Sequence, residues 1–344
     1  MSPHRLAIDN IFFQYNHSGI ADLWSEVFAI WAANKEISSN VVILNRTSKK
    51  ISGLQNHFVL PHDFSKLDSD AKYLEYICRR LGITKLISTY YTHAANLENY
   101  FLAYDCIPER TGLDMNRPEW ILKKKGVNNA SKFIYISNKT RTDFEEIYRV
   151  SQPGKVIYPG VPLSNKTMDA DMAALQLRLP NHKYLLCLPT PLEGYKNGKL
   201  LLEAISLRRN KEDYLIVCTR DKEESYSPTL YPGIKIIFPT LSRQQYIELI
   251  KMADALVYLS LYEGMGFPPL EALEHNCPVI ANRTAIFEEI YEDCLNYIST
   301  NTPAALNEML DKLEASKLKI SLPNKISEYS YNKFANELIR YIFY

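Results

Sequence analysis

At 344 residues the chain is longer than one ordinary core requires and suits two domains. Hydrophobic residues make up 46% and charged residues 23%, which excludes a disordered chain. A net charge of +1 gives no basic excess, so nucleic acid is not an expected partner. The six cysteines, at 78, 106, 187, 218, 277 and 294, form no C-x-x-C pair and mostly sit in apolar runs, which predicts reduced, buried thiols rather than metal ligands. The absence of a signal pattern and of any apolar run of membrane-span length reads as a cytoplasmic chain, with peripheral attachment to a membrane face left open.

Taken in order, strand-like runs alternate with amphipathic stretches. LAIDNIFF (6–13) is followed by the helical pattern ADLWSEVFAIWAANK (21–35), then by NVVILN (40–45), KLISTYY (85–91), YFLAYD (100–105), KFIYIS (132–137) and KVIYPG (155–160). A polar, weakly periodic stretch at 163–182 interrupts the series. It resumes with YLLCLP (184–189), YLIVCT (214–219), IKIIFP (234–239), the helical SRQQYIELIKMADA (242–255), ADALVYLS (253–260), PVIAN (278–282) and LNYIS (295–299). Short, β-branched, wholly apolar runs predict parallel strands covered on both faces, and the alternation predicts an α/β class. The predicted architecture is two Rossmann-like, doubly wound domains over 1–162 and 183–325, a linker at 163–182, and a closing helical segment at 326–344 able to pack back on the first domain. Two such domains would face each other across a cleft at the carboxyl ends of their strands, where ligands of these sheets bind.

One stretch concentrates the chemistry. YEGMGFPPLEALEHNCPVI (262–280) follows a buried-type strand and opens a helix, with Pro268 or Pro269 in its first turn. The unsatisfied N–H groups of a helix start, with the positive end of the dipole, suit a phosphate. Gly264 and Gly266 let backbone approach a ligand closely. Glu263 and Glu271, eight positions apart, would then accept hydrogen bonds from hydroxyls on either side of that phosphate. An acid in an early helical turn is ordinarily explained by the dipole alone; the glycines, the spacing and the position after a strand favour the ligand-binding explanation.

EGMGFPPLE resembles the E-x7-E signature of retaining glycosyltransferases of family 4, the glycosyl transferases group 1, whose GT-B fold is two facing Rossmann-like domains. LLCLPTPLEGYKNGKLLLEAI (185–205) is similar to the family's strand, loop and "KN…LLEA" helix, and NASKFIYISNKTRTDFEEIY (129–148) with KVIYPGV (155–161) to its "A…I.VS..T..DL" segment. FPTLSRQQYIELIKMADALVYLSLYEG (238–264), YSYNKFANELIRYI (329–342) and NHSGIADLWSEVF (16–28) resemble other stretches of the pattern. The resemblance implies a first domain on the acceptor side and a second that holds the nucleotide sugar. Lys196 and Glu263 would be the catalytic residues, Lys196 on the diphosphate and Glu263 on the sugar hydroxyls. Glu271 would hold the ribose, and Gly264, Met265, Gly266 and Phe267 would touch sugar and phosphate through their backbone. Asn197, Thr190 and Gly19 complete the implied donor-binding set.

The chain departs from the pattern at two places. Thr190 stands where many members carry an arginine; Arg220 and Arg283 follow other strands of the same half and read either as ordinary surface arginines or as its replacement. YDCIPE places Tyr104 where many members carry a histidine but keeps Asp105, and His93 ends a neighbouring strand; these three are the expected acceptor-side residues. The D-x-D triplets at 68–70 and 169–171 end no apolar strand and read as solvated helix starts, so no metal is expected. The implied reaction needs no cofactor. A GDP- or UDP-sugar would give its sugar, with retention, to a glycan or lipid-linked acceptor in cell-surface polysaccharide synthesis. A GT-B subunit that binds sugar nucleotide as a scaffold without turnover is the alternative. NRPEWILKKKG (116–126) reads as a solvated charge run, or else as a basic helix lying on an anionic membrane.

Overall fold

The computed structural model describes residues 5–14, 19–160, 179–219 and 222–344. The expected linker at 163–182 lies outside them except for its last four residues, as do Arg220 and the triplet at 169–171. The chain divides into two compact units, Met1–Val161 with Ser327–Tyr344, and Pro162–Ile326.

The first unit is built on a seven-stranded sheet in the order β3-β2-β1-β4-β5-β6-β7, every pairing parallel. Its strands are β1 (Arg5–Asp9), β2 (Val41–Asn45), β3 (Gln55–Phe58), β4 (Ile83–Ser88), β5 (Glu98–Ala103), β6 (Lys132–Tyr135) and β7 (Gly154–Val156). The second unit has six parallel strands in the order β10-β9-β8-β11-β12-β13. They are β8 (Tyr184–Leu188), β9 (Tyr214–Cys218), β10 (Lys235–Ile237), β11 (Ala255–Tyr258), β12 (Val279–Ala281) and β13 (Asn296–Tyr297). The doubly wound α/β expectation is therefore met in both units.

Central strands are buried along their whole length because helices cover both faces: all five residues of β2 and of β9 and all four of β11 are buried. Sequence reading missed one strand, β3, whose QNHF is polar and partly exposed. It pairs only with β2, at the sheet edge, where solvent on one side removes the apolar signal. LAIDNIFF is also shorter as a strand than expected: β1 stops at Asp9 and Ile11–Gln14 turns as 3-10 helix.

The closing helix Tyr331–Phe343 belongs to the first unit, where the Trp31 indole N–H donates to the Ala335 carbonyl at 3.1 Å. In both sheets the order reverses beside the first strand, between β1 and β4 and between β8 and β11. Loops leaving the carboxyl ends of strands at such a reversal run to opposite faces and leave room for a ligand.

Candidate functional site

In the second unit those two loops meet. The loop after β11 carries Glu263 and leads into the helix Phe267–Glu274; the loop after β8 ends in a 3-10 turn, Gly194–Lys196. Lys196 Nζ lies 2.5 Å from Glu263 Oε1, which also accepts from the Tyr258 hydroxyl at 2.8 Å. Burial, then the Glu263 charge, pushes the Tyr258 phenol well above its usual range, so it stays a hydrogen donor to the acid. Lys196 Nζ also stands 5.1 Å from the Tyr195 ring centre and 5.8 Å from that of Tyr258, so the cation is walled by aromatic faces.

Local sequence builds each loop. Asn197 closes the Lys196 turn in the left-handed region at φ 56°, which asparagine tolerates, and its Nδ2 donates to Asn301 Oδ1 at 2.7 Å. A Cβ on Gly198 would stand 2.6 Å from the Pro191 carbonyl oxygen, so only glycine lets this loop fold back on itself. The second loop depends on Gly266, at φ 79°, where a Cβ would meet Phe287 at 2.9 Å. The Tyr291 hydroxyl donates to the Gly266 carbonyl. Phe287 and Tyr291, both on the helix Ala285–Tyr291, thus hold the glycine loop from beneath. Glu263, Gly264, Met265 and Gly266 are buried and Phe267 is half-buried.

Glu271 lies on the buried face of the helix Phe267–Glu274, with its side chain only 8% exposed. Both its oxygens are engaged by one guanidinium: Arg243 Nη2 to Oε1 at 2.7 Å and Nη1 to Oε2 at 3.0 Å. One turn on, burial and then the Glu271 charge push the Glu274 carboxyl up to about 7, against the opposing pull of Arg243. Three neighbouring strands, β9, β8 and β11, run out into Thr219, Thr190 and Ser260. Their hydroxyl oxygens are buried without a hydrogen-bond partner among the described residues.

The remaining expected residues are placed as follows. Thr190 is buried, and its carbonyl accepts from the Cys218 thiol at 3.5 Å. Arg283 is exposed, pairs with Glu288 at 2.8 Å and lies over the Tyr297 ring, so it reaches neither site acid in this arrangement. In the first unit, Gly19 is exposed at the start of the helix Gly19–Ala33. Tyr104 is engaged in the core: its hydroxyl accepts from the Trp24 indole at 2.7 Å and donates to the Thr89 carbonyl at 3.0 Å. Asp105 caps the short helix Ile107–Arg110 by accepting from the Ile107 N–H at 2.9 Å, and His93 is buried in the segment that follows β4.

Two expectations change. Asp70 of the 68–70 triplet is no solvated helix start: it pairs with Arg46 at 2.9 Å and with His62 at 3.1 Å, because Arg46 is wholly buried and needs acids around it. Lys123 of the KKK run is likewise buried, 2.8 Å from Glu109, so the helix Pro118–Asn128 turns one of its three lysines inward. Among the described residues no group of three or more His, Cys, Asp or Glu could hold a metal ion, and no helix is long and apolar enough to cross a membrane. All six cysteines are free and buried.

Four contributors escaped sequence reading: Tyr258, Arg243, Phe287 and Tyr291. Tyr258 had a signal, being the last residue of its strand and five before Glu263; the others had none short of three-dimensional pairing.

Known proteins resemble the chain in part of its sequence and in its fold. Residues 174–333 match the family model described as Glycosyl transferases group 1. The O-antigen chain mannosyltransferase RfbU of Salmonella typhimurium is 33% identical over 95 residues, covering 28% of this chain and 24% of that protein. The alignment thus spans about a quarter of that relative. Solved structures match over almost the full length at low identity. WaaG, a glycosyltransferase of lipopolysaccharide biosynthesis, gives a TM-score of 0.71 at 16% identity, covering 97% of this chain and 95% of its own. HepE of Anabaena, solved with UDP and glucose, gives 0.67 at 14%, covering 98% and 99%. The fold is GT-B, two parallel-sheet Rossmann-like units.

Proposed function

We propose that the chain is a glycosyltransferase of the retaining kind, moving a sugar from a nucleoside diphosphate sugar to an acceptor hydroxyl. The observation that carries this reading is the meeting of Lys196 with Glu263 at the carboxyl ends of β8 and β11, with Glu271 on the helix that follows. Glu263, then Lys196 with the N-terminus of that helix, then Glu271 match the three parts of such a donor in turn: sugar hydroxyls, diphosphate and ribose. The group 1 match over 174–333 supports the reaction class, and the UDP bound to HepE supports a uridine donor, a guanosine one being the alternative. The names of RfbU and WaaG support a glycan or lipid-linked acceptor in surface polysaccharide assembly. Such an acceptor would be met at the cytoplasmic membrane face, with the chain bound peripherally.

In the proposed step the bond from the anomeric carbon to the β-phosphate oxygen breaks as the acceptor oxygen bonds to the same face. The acceptor proton passes to the departing phosphate. Lys196 and the amides of the Gly264–Phe267 loop stabilise the charge that develops on the phosphate, without a metal or other cofactor, and Glu263 orients the sugar. On the acceptor side His93 and Asp105 remain candidates. Tyr104 acts instead through the scaffold, since its hydroxyl is already engaged twice.

The test is release of UDP or GDP from a panel of sugar nucleotides with oligosaccharide and lipid-linked acceptors, with the product's anomeric configuration read by NMR. Release that depends on acceptor, with retention, supports the reading. Binding without turnover across the panel would favour the scaffold alternative, and inversion would contradict the retaining step.

A further inference from the structure

Both acids of the site are already occupied, each by a base from another loop or helix: Glu263 by Lys196 and Glu271 by Arg243. These two acids and two bases balance one another in charge. A nucleoside diphosphate brings at least two negative charges on its phosphates and only neutral hydroxyls on its sugars. If the bases stayed where they are, the phosphates would meet only the helix N-terminus and loop amides, and the hydroxyls would share carboxylates already paired with cations. Exchanging partners resolves both conflicts. We propose that Arg243 is a donor-binding residue that changes partner: it forks onto Glu271 in this structure and moves to the diphosphate when the ribose hydroxyls take over that carboxylate.

Three features single out Arg243 for this role, which rests on the donor-site reading above. First, the pair is asymmetric. The Glu271 side chain is fixed on a buried helix face at 8% exposure, whereas Arg243 is 44% exposed on a long flexible stem. The base is the member that can swing, at small desolvation cost. Second, a guanidinium fork that binds a carboxylate through two N–H groups binds a phosphate in the same way, so the exchange conserves its hydrogen bonds. Third, Arg243 opens the helix Arg243–Met252, directly after the Ser242 cap. A cation is disfavoured at the positive end of a helix, so its stability there depends on a nearby anion. Arg283 differs in its partner: it pairs with Glu288, itself half exposed, and reaches neither acid of the site.

The test is calorimetric titration with uridine, UMP and UDP, and with guanosine, GMP and GDP, at low and moderate salt. The proteins are the wild type, Arg243→Ala, Arg243→Lys and, as a control, Arg283→Ala. Arg243→Ala is expected to weaken the bound diphosphate by about 10- to 100-fold and to flatten its salt dependence, as befits one lost charge-assisted contact. The nucleoside should change less than about threefold on the same grounds, Arg243→Lys should recover part of the loss, and Arg283→Ala should match wild type. Equal weakening of nucleoside and diphosphate would overturn the proposal, because Arg243 would then only position Glu271. So would an unchanged diphosphate. Circular dichroism spectra confirm that each variant is folded, and Arg243→Lys decides the matter if the alanine form is not. Wild type that binds neither diphosphate would sink the donor-site reading itself, and this exchange with it.

Discussion

Two arginines, one in each unit, hold acids in bidentate pairs, yet they live in opposite settings. Arg46, just past β2, has a fully buried side chain that forks onto Asp9 at 2.6 and 2.8 Å and onto Asp70 at 2.9 Å twice. Asp9 in turn accepts from Thr92 at 2.6 Å, and Asp70 from the His62 ring at 3.1 Å in the tautomer that donates from Nδ1. With the Leu60 carbonyl accepting from Nη1 at 3.0 Å, all five guanidinium donors of Arg46 are used. Arg243 holds one acid, with almost half its own surface in water. Burial and saturation make the first arginine part of the scaffold at the carboxyl edge of its sheet, whereas exposure to water leaves the second able to exchange its acid. The same residue type in the same bidentate geometry thus acquires a structural or a binding role from its surroundings.

That contrast can be broken from either side. Arg46→Ala leaves Asp9 and Asp70 without their shared counter-ion and is expected to destabilise the first unit by about 3–5 kcal/mol. All three tryptophans (Trp24, Trp31 and Trp120) belong to this unit, so urea unfolding followed by their fluorescence reports the loss. A change below about 1 kcal/mol would show that the buried network is dispensable. On the other side, Lys196→Ala is expected to lower turnover by about 10²- to 10³-fold, as for loss of one preorganised contact to a developing charge, with the tryptophan-reported stability unmoved. Turnover within a few-fold of wild type would remove Lys196 from the chemistry.

Two smaller effects sharpen the picture of the second site. Gly266→Ala forces a side chain into the left-handed region and against Phe287, and about 1–3 kcal/mol of destabilisation is expected. Since the second unit has no tryptophan, thermal melting followed by circular dichroism is the appropriate readout. Glu274 supplies a pH effect. Its carboxyl is raised to about 7 in the folded chain, so between the ordinary carboxylate range and pH 7 the folded form keeps a proton that the unfolded form has lost. Its stabilising contribution is therefore present in acid and declines as pH rises through 7. Glu274→Gln should gain melting temperature relative to wild type between pH 5.5 and pH 8. A difference between the two that does not vary with pH would show that Glu274 titrates normally.

Much of this was legible from residues alone, for identifiable reasons. Strands buried on both faces leave uninterrupted apolar runs, so twelve of the thirteen described strands could be picked out, and only the polar edge strand β3 escaped. The glycine loop after β11 carried its own signal because backbone geometry demands particular residues at particular places, Gly266 above all. Pairing partners left no such trace. Lys196 and Glu263 are 67 positions apart and Arg243 and Glu271 are 28 apart, so these two ion pairs emerge only once the chain is folded. Asp70 was misread for the same reason: its partner Arg46 is 24 positions away and itself unremarkable in sequence. Tyr104 looked like a substitute for a site histidine until its hydroxyl was seen engaged by Trp24 and Thr89.

The most direct measurement is a crystal structure of the chain with the sugar nucleotide that it turns over. The expected result is a diphosphate seated between Lys196 and the Gly264–Phe267 backbone, ribose hydroxyls on Glu271, sugar hydroxyls on Glu263, and Arg243 released from Glu271. A nucleotide bound elsewhere, with Lys196 still on Glu263 and Arg243 still on Glu271, would contradict the account.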